Sequence, residues 1–142
     1  MKKYIYLILA LILIAFIFGN SLEDAVNSAG ESMVIVGYVQ SLLAWFGFIV
    51  PTDYLDHVVR KCAHVTEFAL QAFFVAKTLS AFGLRRRTWL GYALLLGLLT
   101  AVIDENIQLY SVGRSGQVTD VLLDFGGTLL GVAAALLTRS RK

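Results

Sequence analysis

The chain has 142 residues, 58% of them hydrophobic and 15% charged, with a net charge of +2. That balance lies outside the range of ordinary soluble domains, and four spans of about 20 residues each leave no room for a separate soluble one. The basic residues cluster at three places, a pattern of bilayer orientation rather than nucleic-acid binding, and the lone Cys62 excludes an internal disulfide and multi-thiolate metal motifs.

Met1-Lys2-Lys3 precede an apolar run from Tyr4 to Gly19. No small-x-small cleavage site follows it cleanly, so it reads as a retained first span rather than a removed leader. Further apolar runs cover Cys62 to Leu84, Thr88 to Ile107 and Thr119 to Leu137. Each is long enough to cross about 30 Å of hydrocarbon at about 1.5 Å per residue. A fifth apolar stretch, Met33 to Val50, decides the topology, because counting it would reverse everything after it. With four spans and an internal N-terminus, Lys2, Lys3, Arg85, Arg86, Arg87, Arg139, Arg141 and Lys142 share the cytoplasmic side, as the positive-inside rule requires. Five spans would put the arginine triplet and the basic C-terminus outside. Met33 to Val50 is therefore assigned to an external segment, 20–61, as an interfacial or re-entrant helix ended by Pro51. Lys77 reads as a snorkelling anchor near the cytoplasmic end. The expected fold is an all-α membrane protein of four transmembrane helices in one domain, with both termini cytoplasmic.

The acids are one-sided. Glu23, Asp24, Glu31, Asp53 and Asp56 fall in the external segment, and Glu67, Asp104, Glu105, Asp120 and Asp124 in the outer parts of spans. Acids contribute little to orientation, so this asymmetry needs its own cause. In the second span His64, Glu67 and Gln71 stand at i, i+3 and i+7, on one helical face. In the third, Asp104 and Gln108 are one turn apart with Glu105 adjacent, some 20 Å or more from the cytoplasmic edge. The fourth opens with Thr119 as expected N-cap and carries Asp120 and Asp124 at i and i+4, near a positive helix end. The short connection Tyr110 to Val118 lets Arg114 fold back over the bundle, while Arg60 and Lys61 enter from the other side.

An ion in hydrocarbon costs at least about 2.5–3.5 kcal/mol, so these groups must meet one another or water. One reading is structural pairing, with Arg60 or Arg114 holding Glu67, Asp104 or Asp124 as interhelical glue. The other is an outward polar cleft: three cations at the rim suit phosphate or carboxylate, and acids below that share protons supply general acid and base. Zinc is disfavoured because His57 and His64 lack an HExxH context. Magnesium or calcium among Glu67, Asp104 and Asp124 is the weaker alternative, and no metal or cofactor is assigned. Gly127 and Gly131 form GxxxG, read as close packing within the molecule. Ser115 lacks a GxSxG elbow and reads as a turn residue, not a nucleophile.

At these residues the sequence resembles the VanZ-like family. The resemblance rests on Arg60-Lys61-Cys62-Ala63-His64 with Glu67 and Phe68, on Asp104-Glu105 with Gln108, and on Gly113-Arg114-Ser115-Gly116 followed by Asp120, Asp124 and Gly127. Asn20-Ser21 after the first span belongs to it too. Val112 departs from the proline frequent before the glycine-arginine pair. The resemblance implies a bacterial cytoplasmic-membrane protein of the cell envelope that lowers susceptibility to glycopeptide antibiotics such as teicoplanin, and it implies no known reaction. It brings Asn20, Ser21 and Ser115 into the ligand-binding set with Arg60, Lys61, Glu105, Gln108, Arg114, Asp120 and Asp124, while His64, Glu67 and Asp104 are the candidate catalytic groups. Three functions stay open. One is binding of membrane lipid, a lipid-linked wall precursor, polyprenyl phosphate or lipoglycopeptide. The others are acid–base catalysis on such a lipid, and a structural role through a partner.

Overall fold

The computed structural model describes residues 1–23, 25–112 and 116–138, with the backbone alone for 25–29 and 31. Asp24, the Gly113-Arg114-Ser115 stretch and the basic C-terminal residues Arg139, Arg141 and Lys142 lie outside the described residues. Five helices follow in order: α1 (Lys2–Leu22), α2 (Ala25–Trp45), α3 (Thr52–Ala81), α4 (Arg86–Gln108) and α5 (Val118–Leu137). The all-α expectation holds among the described residues.

Among the described residues three helices, α1, α4 and α5, are long and apolar enough to cross a membrane, one fewer than the sequence reading expected. The missing one is the expected second span, which forms the C-terminal part of α3. His64, Glu67, Gln71 and Lys77 lower its average hydropathy. Position explains the composition. α3 packs against all four other helices, most extensively α5 and α1, so neighbours rather than lipid cover much of its surface. α2 contains a shorter apolar helix, Ser32–Trp45, and is not among the candidate spans.

The bundle is small inside and bulky outside. α4 buries Trp89, Ala93, Gly97, Thr100, Ala101, Asp104 and Gln108 along one stripe, while Tyr92, Leu95, Leu99, Val102 and Ile103 are exposed. α5 buries Asp124, Gly127, Thr128, Gly131, Val132 and Ala135. With no hydrophobic drive between helices in lipid, small residues that let backbones approach supply the packing. GxxxG acts within the molecule, as expected: a Cβ at Gly127 would stand 2.5 Å from the Val65 carbonyl oxygen, and one at Gly131 would strike that of Ala69.

Two turns close with glycine in the left-handed region. Gly47 has φ +81 and Gly83 φ +89. The next amide reaches back in each case, Phe48 to the Leu43 carbonyl at 2.9 Å and Leu84 to that of Leu79 at 3.2 Å, the pattern that satisfies carbonyls at a helix end. α2 therefore stops at Trp45, before the proline expected to end it, and Pro51 instead stands at the N-cap of α3. α3 thus begins ten residues ahead of Cys62. α2 lies along its first turns, with Val36 and Leu55 buried. Ser32 donates to the Asp56 carboxylate, and the Gln40 amide approaches Thr52 Oγ1 at 3.3 Å.

The chain direction sorts the ends. At one end lie Lys2, Lys3 and Arg85–Arg87, with Lys3 above the Phe82 ring and Tyr4 edge-on to it. Lys77 donates to the Thr138 carbonyl at 3.0 Å, at the C-terminus of α5. At the other end α1 and α4 finish, α5 starts, and the acids gather.

Candidate functional site

Each polar rung of α3 meets a different neighbour. Gln71, deepest, donates to Thr100 Oγ1 on α4 at 2.9 Å. One turn toward the site Glu67 accepts from the Asn20 amide of α1 at 3.4 Å. The next, His64, sets Nδ1 3.7 Å from Asp124 Oδ1 on α5 and 4.0 Å from Asp104 Oδ2 on α4. The spacing i, i+3, i+7 therefore places three side chains on one face and hands them to three helices.

Asp104 is the hub. It is 0% exposed, accepts a hydrogen bond from the Ser21 hydroxyl, and accepts from Gln108 Nε2, one turn along its own helix, at 3.1 Å. Ser21 is held in turn, since its carbonyl accepts from Ser111 Oγ at 2.7 Å. The C-terminal end of α1 and the turn after α4 are thereby tied to one carboxylate.

Glu105 faces the start of α5. One carboxylate oxygen accepts the Gln117 amide at 2.5 Å, and Gln117, not the expected Thr119, is the N-cap. A carboxylate borrowed from α4 occupies a first-turn donor, so the local capping signal loses to a long-range one. At the rim Lys61 pairs with Asp120. Arg60 is not brought to the cluster and pairs with Asp56 one turn back on α3 at 3.3 Å. Arg114 and Ser115 lie outside the described residues.

The structure thus unites Asn20 with Glu67, Lys61 with Asp120, and His64, Asp104, Asp124, Ser21 and Gln108 in one cluster. Sequence reasoning missed Ser111, Gln117 and Thr100 as partners. Thr100 carried a signal, standing one turn before Asp104 on the stripe that continues to Gln108. Two buried oxygens among the described residues have no hydrogen-bond partner at this end, Asp124 Oδ2 and Glu105 Oε2. His64, Asp104 and Asp124 each offer one potential metal ligand atom, all within 4.8 Å of one another, although the sequence reading assigned no metal. Between α3 and α5 an open groove of about 320 Å³ is lined by His57, Val58, Lys61, Cys62, Val65, Thr66 and Leu123.

These features define a helical membrane protein with two buried carboxylates beside a half-buried imidazole at one end of its bundle. A family model described as VanZ/LLP1 matches residues 4–139, nearly the whole chain, and the chain belongs to that family. No curated protein and no solved structure matches it.

Proposed function

We propose that the chain binds an anionic lipid of the cell envelope, with its hydrocarbon in the α3/α5 groove and its phosphate at Lys61. The groove carries the reading. Val58, Cys62, Val65 and Leu123 make its wall largely apolar, and Lys61 adds an ammonium one turn from His64. Its volume sits at the lower end of the roughly 300–1,000 Å³ of ligand pockets, enough for part of a chain whose remainder stays in the bilayer. Lys61 is 29% exposed at its side chain and carries three donors, of which Asp120 engages one. The excess of Lys and Arg at the opposite end supports an outward orientation in the bacterial cytoplasmic membrane. Polyprenyl phosphates and lipid-linked wall precursors are the candidate ligands there. The family resemblance extends the reading to lowered susceptibility to lipoglycopeptides such as teicoplanin.

A charge-assisted hydrogen bond to phosphate contributes about 1.5–3 kcal/mol. Lys61→Ala is therefore expected to weaken polyprenyl phosphate binding by at least about tenfold, measured on purified protein in detergent by native mass spectrometry. The neutral polyprenol should bind weakly to both proteins. Equal affinity for phosphate and alcohol, or no effect of Lys61→Ala, would overturn the reading.

His64 between two carboxylates favours a second reading, acid–base catalysis on the same lipid. Its signature is release of inorganic phosphate, lost in Glu67→Gln while lipid affinity is retained. Loss of affinity together with effect assigns Glu67 to binding instead.

A further inference from the structure

We propose that His64, Asp104 and Asp124 hold a divalent cation where α3, α4 and α5 converge. Three observations lead there. The first is geometric. Imidazole Nδ1 stands 3.7 Å and 4.0 Å from carboxylate oxygens on two other helices, and one ligand atom from each residue falls within 4.8 Å of the others. Bonds of about 2.0–2.2 Å to tetrahedral zinc put ligand atoms about 3.3–3.6 Å apart, and calcium bonds of about 2.3–2.6 Å put opposite ligands about 4.6–5.2 Å apart. The three atoms are therefore already spread over no more than a calcium coordination sphere, and a tetrahedral ion would draw them closer together.

The second is an orphan. Asp124 is 1% exposed, yet its Oδ2 has no hydrogen-bond partner among the described residues. It sits on the same carboxyl carbon as the oxygen that faces His64. A buried acceptor without a partner is destabilising, more so when charged, and a cation beside that carboxylate removes the penalty.

The third is charge. Glu67, Asp104, Glu105 and Asp124 crowd one end of the bundle, and Lys61, one turn from His64, pairs with Asp120. Bound ions are often the largest local charges in such a site and reverse its electrostatics. The mixed donor set suits zinc or manganese, which accept both imidazole and carboxylate. Three protein ligands leave open positions, as metal sites that act on substrates do. That such a position receives the lipid phosphate rests on the lipid reading above. The cation site itself does not.

The test contains no lipid, so its failure and that of the lipid reading are separable. Purified chain, stripped with EDTA, is titrated with Mn²⁺ while the free ion is followed by electron paramagnetic resonance. The expected result is saturable binding of one ion per chain, weakened at least tenfold by Asp124→Asn and by His64→Ala and unchanged by Asp53→Asn on the exposed first turn of α3. A fold-independent check uses the native chain with labelled histidine: Mn²⁺ should broaden the His64 ring signals before those of His57. No saturable binding, an Asp124→Asn chain of native affinity, or equal broadening of both histidines would overturn the proposal.

Discussion

Gly131→Val is expected to lower the unfolding free energy of the chain by about 3 kcal/mol, the upper part of the range for overpacking. The added carbon would meet the Ala69 backbone, with the carbonyl carbon 2.8 Å and the Cα 3.0 Å from the position of Cβ alone. A side chain in the way can change rotamer. A backbone in the middle of α3 cannot yield unless the two helices part. Gly127 repeats the contact one turn away, 3.1 Å from Val65 Cα and 3.2 Å from Phe68 Cβ. Gly126, beside it, has nothing within 4 Å of the place a methyl group would occupy, and helix propensity favours alanine over glycine there by roughly 0.5–1 kcal/mol. Gly126→Ala should therefore leave stability unchanged or raise it slightly. Thermal unfolding in detergent, followed by circular dichroism, compares both variants with the native chain. A Gly131→Val chain that melts with the native one would show that α3 and α5 do not approach this closely. The consequence reaches the cluster, since the α3/α5 crossing sets the distance from His64 to Asp124.

Periodicity and chemistry made part of this site legible, and rotation about the helix axes hid the rest. The i, i+3, i+7 spacing of His64, Glu67 and Gln71 fixes a common face whatever the neighbours are, and that face is where the partners are found. Asp104 and Gln108 lie one turn apart and do hydrogen-bond. The glycine pair signalled a close crossing because two absent side chains on one face have few other uses. Partners on other helices were not legible. Ser21 and Asp104 are separated by 83 residues, and nothing local in either helix says that one will rotate toward the other. Arg60 has an acid one turn back at Asp56, and that near partner takes it rather than the distant cluster. The expected span from Cys62 to Leu84 failed for a related reason, since α3 is not apolar enough to count as one. His64, Glu67, Gln71 and Lys77, which lower its average, turn toward other helices, and an apolar run read in one dimension does not show that.

Asp104→Ala is expected to cost about 2–4 kcal/mol of stability and to abolish cation binding, because one carboxylate joins α1, α3 and α4. Interhelical hydrogen bonds in membrane proteins contribute on average about 0.6 kcal/mol and at most about 1.7; Asp104 makes one with Ser21 of α1, lies 4.0 Å from His64 of α3, and accepts a further bond from Gln108 within its own helix. Truncation also leaves the Ser21 hydroxyl and the Gln108 amide without this acceptor, at roughly 1–3 kcal/mol for a buried group that finds no other. Asp104→Asn separates shape from charge. It keeps the volume and one carbonyl acceptor, so it should lose less stability than the alanine variant while still losing most Mn²⁺ affinity. Unfolding measured for Ser21→Ala, Asp104→Ala and the double variant gives the coupling directly: groups in contact deviate from additivity by about 0.5–3 kcal/mol, and distant ones by less than about 0.5. A coupling near 1 kcal/mol would establish that the end of α1 is fastened to α4 through this bond. Additive effects would place Ser21 and Asp104 in separate environments and remove the hub on which the site is built.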